Sequence, residues 1–216
     1  MAGRRKPAER YHHGNLRSAL LGAAWSHVAR HGVESLSLRA IAEALGVSHA
    51  APAWHFKDKA ALVQALRLEA WGRFADALEA GGAQSGEGDR LRGTGRAYLD
   101  FAARHPRQMA LMFRQGSGPH PPEPCEPEEI GVQQLRAWGA LTGAVAQAIG
   151  PKRAEDAARL AGLSLAAWST VHGLASLLVE VPLPPGLAGP GLRDALVEQV
   201  LEVAVRGVTS AARKRE

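Results

Sequence analysis

Cysteine is nearly absent. Cys125 is the single thiol in 216 residues, so no disulfide can close within one chain. It lies in a Pro/Glu-rich stretch and reads as an incidental loop residue. Aromatics make up only 5%, which leaves Ala, Leu and Gly to carry the packing. No run of 18 uncharged apolar residues and no signal-peptide pattern is found, and the basic start MAGRRKPAERYHH leads into an amphipathic helix rather than an apolar block. The expectation is a cytoplasmic chain with no membrane partner. Credible strand alternation and internal repeats are lacking. So are an H-E-x-x-H pair, a Gly-rich phosphate loop after a strand, and a G-x-S-x-G elbow. Nine histidines invite a search for metal ligands. His12 and His13 fall in the basic arm, and His27 and His31, though four apart, lack a nearby acidic third ligand. These absences speak against an enzyme, a metal site and a cofactor.

What is present is a globular chain, 46% hydrophobic, long enough for a substantial core. Its charge is uneven. Residues 1–60 hold nine Lys/Arg and four Asp/Glu, and residues 61–216 hold 17 of each. The whole excess of +5 therefore sits at one end, where it suits a polyanion such as nucleic acid; a merely solvating basic arm is the plainer alternative. Arg4, Arg5 and Lys6 belong to this arm, residues 1–14.

The apolar period is helical throughout, which predicts an all-α fold of about nine helices. The first helix carries Leu16, Leu20, Ala24 and Val28, with Asn15 as a cap and Gly32 as its stop. Ser37 opens a second helix, and a third runs from about His49 to Trp54. Asp58 caps a fourth, about Lys59 to Ala80, with Leu62, Leu66, Phe74 and Leu78 inward. GGAQSGEG at 81–88 reads as a loop. Helices follow at Leu91–His105, from Pro106, at 130–149 and at about 154–181, with a loop at 116–129 and a break at 181–191. A final helix over 192–213 presents Leu196, Val200, Val203, Ala204 and Val208 on one face.

The stretch Leu38–Lys59, LRAIAEALGVSHAAPAWHFKDK, has the layout of a helix-turn-helix. Ile41, Leu45 and Val47 hold the pair of helices together, and Ala42 is small where they approach. Gly46 ends the first helix in a left-handed cap, and Ser48 is placed to cap the next through its hydroxyl. His49, Ala50, Ala51 and Trp54 then face outward. Alanine methyls suit a thymine methyl, and His49 suits a base edge or a phosphate. The expected partner is double-stranded DNA, read by residues 15–60.

Residues 11–66 resemble the TetR/AcrR family of ligand-responsive transcriptional regulators. The residues that carry the resemblance are Gly46 and Val47 after the second helix, then His55, Phe56, Lys59 and Leu62. ARHPRQMALMF at 103–113 and WSTVHGLASLL at 168–178 resemble a subgroup with a Trp/His-Gly helix in its last domain. One position departs: the family's usual Tyr two residues before the His, which commonly touches a phosphate, is Ala53 here, with Trp54 beside it. That change removes one phosphate contact, which the basic arm and Lys59 offset in part, and leaves the fold intact.

The resemblance implies roles residue by residue. Ser48, His49, Ala50, Ala51, Trp54 and His55 lie on or beside the recognition helix, His55 either closing the motif or bonding a phosphate. Ser37 and Arg39 sit against the DNA backbone, and Lys59 binds a phosphate. Residues 61–216 form a helical sensor and dimerisation domain. The last two long helices pair with a second copy through Trp168, Val171, Leu174, Leu178, Leu196, Val200 and Val203. The usual output is repression, relieved by a small-molecule effector at a palindromic operator.

Wide aromatic and Met side chains suit a pliable apolar pocket. The candidates are Trp71, Phe74, Phe101, Met109, Met112, Phe113, Trp138, Leu141 and Trp168, although each also serves as plain core. His172 offers either a polar contact to an effector or a bond within the core or seam. Two other functions stay open: a ligand-binding dimer that has lost DNA binding, and an architectural DNA binder without a ligand.

Overall fold

The computed structural model describes residues 13–86, 88–113, 128–181 and 191–213. Arg4, Arg5, Lys6, Cys125, most of the loop expected at 116–129 and most of the break at 181–191 lie outside the described residues. Among the described residues there are nine α-helices, one 3-10 turn and no strand. The chain divides into two compact units, Met1–Leu66 and Arg67–Glu216.

In the first unit, α1 spans His13–His31. It starts ahead of Asn15, which therefore lies inside the helix and is not its cap. Leu20, Ala24 and Val28 form its buried stripe, and the Gly32 N–H closes the end on the Val28 carbonyl at 3.0 Å. Helix α2 spans Leu38–Leu45. The Ser37 hydroxyl accepts the Ala40 N–H at 3.1 Å, satisfying one orphan donor of the first turn. At the other end Gly46 adopts φ 66°. Its N–H reaches the Glu43 carbonyl, and the Val47 N–H reaches the Ala42 carbonyl at 3.0 Å, a pair of closing bonds that only a left-handed residue permits without strain.

Between α2 and the next helix the structure differs from the expected helix at His49. One 3-10 turn forms instead, Ala51–Trp54. Pro52 is the cause: it has no N–H with which to reach the Ser48 carbonyl. That carbonyl takes the Ala51 N–H at 3.0 Å, and the His55 N–H bonds the Pro52 carbonyl at 2.9 Å. The Ser48 hydroxyl does not cap this turn, whose N-cap position is Ala50 with no side-chain bond.

Helix α3 spans Lys59–Gln84, its first turn capped by the Asp58 carboxylate, which accepts the Ala61 N–H at 2.8 Å. It runs from the first unit into the second. Gly81 and Gly82 are helical, against the loop reading. The reason is tertiary: a Cβ on Gly81 would stand 2.4 Å from the Ala97 Cβ, and one on Gly93 would stand 2.5 Å from the Gly81 carbonyl oxygen. Glycine lets α3 and α4 touch backbone to backbone, which composition alone cannot reveal.

The second unit continues with α4 (Arg90–Arg104), α5 (Pro106–Phe113), α6 (Glu128–Ile149), the single-turn α7 (Pro151–Ala154), α8 (Ala157–Glu180) and α9 (Leu192–Arg213). Helix α4 is the hub and packs on α5, α6, α8 and α9. Arg92 and Arg96 tie it to α9: Arg92 pairs with Glu198 at 3.0 Å and with Glu202, and Arg96 pairs with Glu198 at 2.8 Å. Arg136 ties α6 to α3 through Asp76 at 2.8 Å and Glu79 at 2.5 Å. Helix α8 carries no charged side chain from Leu160 to Val179. By length and composition it could cross a membrane, contrary to the expectation that no such run exists. Its Ser164, Ala167, Val171 and Ala175 are buried in the bundle, while Leu165 and Leu177 are half exposed.

Candidate functional site

Unit 1 builds a surface from the turn after α2. Phe56 anchors it, 3% exposed, with the Arg17 guanidinium 5.4 Å above its ring. Pro52 is also buried. With these two pinned inward, the residues between and before them turn out. Ser48, His49, Ala50, Ala53 and Trp54 are exposed, and Ala51 and His55 are half-buried. Trp54 shows 87% of its surface to solvent. Ser37 caps α2 and Arg39 is exposed on its first turn. The Lys59 ammonium donates to the Glu34 carbonyl at 2.6 Å, which fixes its position and leaves it two further donors. Small side chains, an imidazole, an indole and cations thus share one short segment.

Unit 2 holds a partly open cavity of about 340 Å³, within the range of small-molecule sites. Seven expected residues line it: Trp71, Phe74, Met112, Phe113, Trp138, Leu141 and Trp168. The rings meet edge-on, Trp71 with Phe113 at 5.2 Å and Phe74 with Tyr98 at 5.1 Å. Three expected residues do not line it. Phe101 packs behind Phe74 and against His105, at 5.2 and 4.8 Å. Met109 and His172 face a second hollow on the far side of Phe113. Helical spacing identifies these three as apolar or packed, but not whether they turn toward this cavity.

The sequence reading missed Thr94, Tyr98 and Gln134, which line the cavity. The available signal was the stripe Leu91, Thr94, Gly95, Tyr98, Ala102 on α4, where a threonine and a tyrosine interrupt an otherwise apolar face. The Tyr98 hydroxyl and His172 Nδ1 share a hydrogen bond of 2.6 Å. Burial pushes the Tyr98 phenol above its usual range, opposed in part by a hydrogen bond with Trp168, so it stays protonated. Two other lining residues hold polar atoms without a hydrogen-bond partner among the described residues: Trp71 Nε1 and Thr94 Oγ1.

The expected seam residues separate. Trp168 and Val171 line the cavity, and Val171 is buried within its own unit, so it is not available to a second copy. Leu174, Leu178, Leu196 and Val200 are half-buried, and Val203 is exposed. The α9 face that packs inward is Val197, Leu201, Val208 and Ala212, one residue on from the expected Leu196 and Val200. The bundle takes that stripe and leaves Leu196, Val200 and Val203 beside it.

A family model described as bacterial regulatory proteins, tetR family, matches residues 20–66. A second, described as tetracyclin repressor-like, C-terminal domain, matches residues 91–204. No curated protein matches the chain. Among solved structures, a protein with unknown function from Rhodococcus sp. RHA1 is 30% identical, with a TM-score of 0.72 over 93% of this chain and 98% of its own. A bacterial regulatory protein in the tetR family from Rhodococcus RHA1 is 20% identical, with a TM-score of 0.61 over 89% and 96%. SmeT, solved as a complex with triclosan, is 19% identical, with a TM-score of 0.52 over 88% and 90%. The last two share the fold.

Proposed function

The chain belongs to the tetR family of bacterial regulatory proteins, and from that premise we propose that it is a dimeric transcriptional repressor released from a palindromic operator by a small molecule. Residues 15–60 read duplex DNA, and residues 61–216 sense the effector and pair the copies. The observation that carries the DNA-reading half is Trp54. A fully presented indole, preceded by Ser48, His49 and Ala50, has no packing role in its own unit. The same end of the chain holds the entire charge excess. Lys59, Arg39, Ser37 and the arm residues Arg4, Arg5 and Lys6 set position on phosphates, while His49 to Ala51 and Trp54 meet base edges.

One short reading element spans few base pairs, so a palindrome calls for two copies related by a two-fold axis. Helices α8 and α9 supply the surface for a second copy of this chain. Val203 is 67% exposed, and Leu165 and Leu177 are about half so. Leu174, Leu178, Leu196 and Val200 extend this face. Gly162 and Gly173 sit mid-helix with nothing within 4 Å, which costs helix stability unless another backbone comes close.

Switching runs through α3. Lys59 stands at its start, and Trp71, Phe74 and Leu78 further along it line the cavity. An effector that prefers one setting of α3 shifts the dimer away from the operator, and only that difference in affinity does the work. SmeT, which shares the fold, was solved as a complex with triclosan, an aromatic molecule.

A gel shift of the chain against its own upstream DNA tests the reading, with Trp54→Ala alongside. Sequence-selective binding, weakened about tenfold by the substitution, supports it. Binding that ignores sequence supports an architectural role. No binding supports a ligand-only dimer, for which Ala53 is the motivating residue.

A further inference from the structure

The second hollow lies against α4, α5 and α8, and Phe113 is the one described residue it has in common with the effector cavity. It is open, about 530 Å³, and walled mostly by carbon, with Met109, Ala110, Phe113 and Val179 among its residues. His172 and Ser176 interrupt the carbon. They are four residues apart on α8 and therefore share one face of it. Among the described residues neither His172 Nε2 nor Ser176 Oγ has a hydrogen-bond partner. Unlike Thr94 Oγ1, both atoms keep surface that solvent reaches.

The surrounding bonds fix where the His172 proton sits. Burial keeps the Tyr98 hydroxyl protonated, and a buried hydroxyl proton needs an acceptor. The Trp168 N–H beside it offers only another donor. His172 Nδ1, 2.6 Å from the Tyr98 oxygen, is therefore the acceptor, which leaves the ring proton on Nε2. Nε2 lies on the edge across the ring from Nδ1, the edge turned from Tyr98. The hollow thus offers two donors, an imidazole N–H and a hydroxyl, one helical turn apart.

We propose that this hollow is a second small-molecule site, for an apolar molecule that ends in a carbonyl or carboxylate oxygen. The oxygen accepts from His172 Nε2 and from the Ser176 hydroxyl, and the carbon body lies on Met109 and Phe113. Tyr98 is a positioning residue: it faces the other cavity and sets which nitrogen of His172 donates.

The test uses the full chain with isotope-labelled histidine and three probes of one skeleton: butylbenzene, benzylacetone and hydrocinnamate. They end in a hydrocarbon, a carbonyl and a carboxylate. Nitrogen NMR reads the His172 ring, with His172→Gln to assign its signals. In the free protein the ring proton should sit on Nε2. Benzylacetone or hydrocinnamate should bind about fivefold tighter than butylbenzene or more, the difference one satisfied donor makes, and should move the Nε2 signal. Either ranking of those two supports the site and names its oxygen. Ser176→Ala should reduce the advantage of the oxygen-bearing probes. Tyr98→Phe should reduce it too and let the ring proton spread over both nitrogens, a signature that a merely structural tyrosine would not give. A proton on Nδ1 in the free protein, equal affinity for the three probes, or no binding by any of them overturns the proposal. So does binding that leaves the His172 signals unmoved, a result that places the probes elsewhere and leaves the effector-cavity reading standing.

Discussion

Trp54 and His105 show how two ring side chains carry different consequences. Trp54 has almost no contact with its own unit, so removing it should cost less than about 0.5 kcal/mol of stability while operator affinity falls about tenfold. Parallel urea melts and binding titrations of Trp54→Ala check this, and a stability loss as large as the binding loss would show the indole to be structural. His105 works in the opposite sense. Burial holds its imidazole below the usual histidine range, with Arg104 and Arg73 adding to the effect. The folded state therefore favours the neutral ring, and the unfolded state takes up a proton at the ordinary pKa of about 6.5. Above that pH both states are neutral and nothing is lost. As pH falls through the ordinary range, the unfolded state binds more protons and stability declines. Urea midpoints at pH 7.5 and pH 5.5 should show that decline, and His105→Gln should lessen it. An identical acid loss in the variant contradicts the assignment.

Helix contacts decide which local signals can be read in advance. Ser37, Gly46 and Asp58 are legible because a cap is a bond between near neighbours. The 3-10 turn reads as a helix although the cause of the difference, Pro52, stands in the sequence. GGAQ at 81–84 looks like a loop because its glycines answer to α4, not to their own neighbours. Gly93→Ala tests that contact. Helix propensity alone would stabilise the variant by about 1 kcal/mol. The Gly81 carbonyl is backbone and cannot step aside as the Ser85 side chain can, so crowding of about 1–3 kcal/mol should win and the melting temperature should fall. A rise would mean that α3 and α4 have room to spare. In the cavity, Trp71, Phe74 and Trp168 are legible as wide apolar side chains. Phe101, Met109 and His172 are not, because whether each turns toward this cavity depends on how α4, α5 and α8 pack on one another. The seam is testable on α8 itself. Gly173→Arg adds bulk and charge at a position with nothing within 4 Å. Each copy should stay folded while light scattering falls from dimer to monomer mass. A dimer that survives the substitution places the seam elsewhere.

At the scale of the whole molecule, the two units matter together only if the copies and the two sites are coupled. Such coupling is reciprocal: an effector that lowers operator affinity by some factor must itself bind more weakly by that factor when the operator is present. Neither coupling nor repression has meaning unless the exposed turn around Trp54 reads base sequence. Footprinting the full chain on its own upstream DNA asks this directly. The account predicts two protected half-sites related by two-fold symmetry, centred one helical turn or a small multiple of it apart, with protection weakened by Trp54→Ala. Uniform protection without regard to sequence, or none at protein concentrations that saturate an ordinary operator, would contradict it.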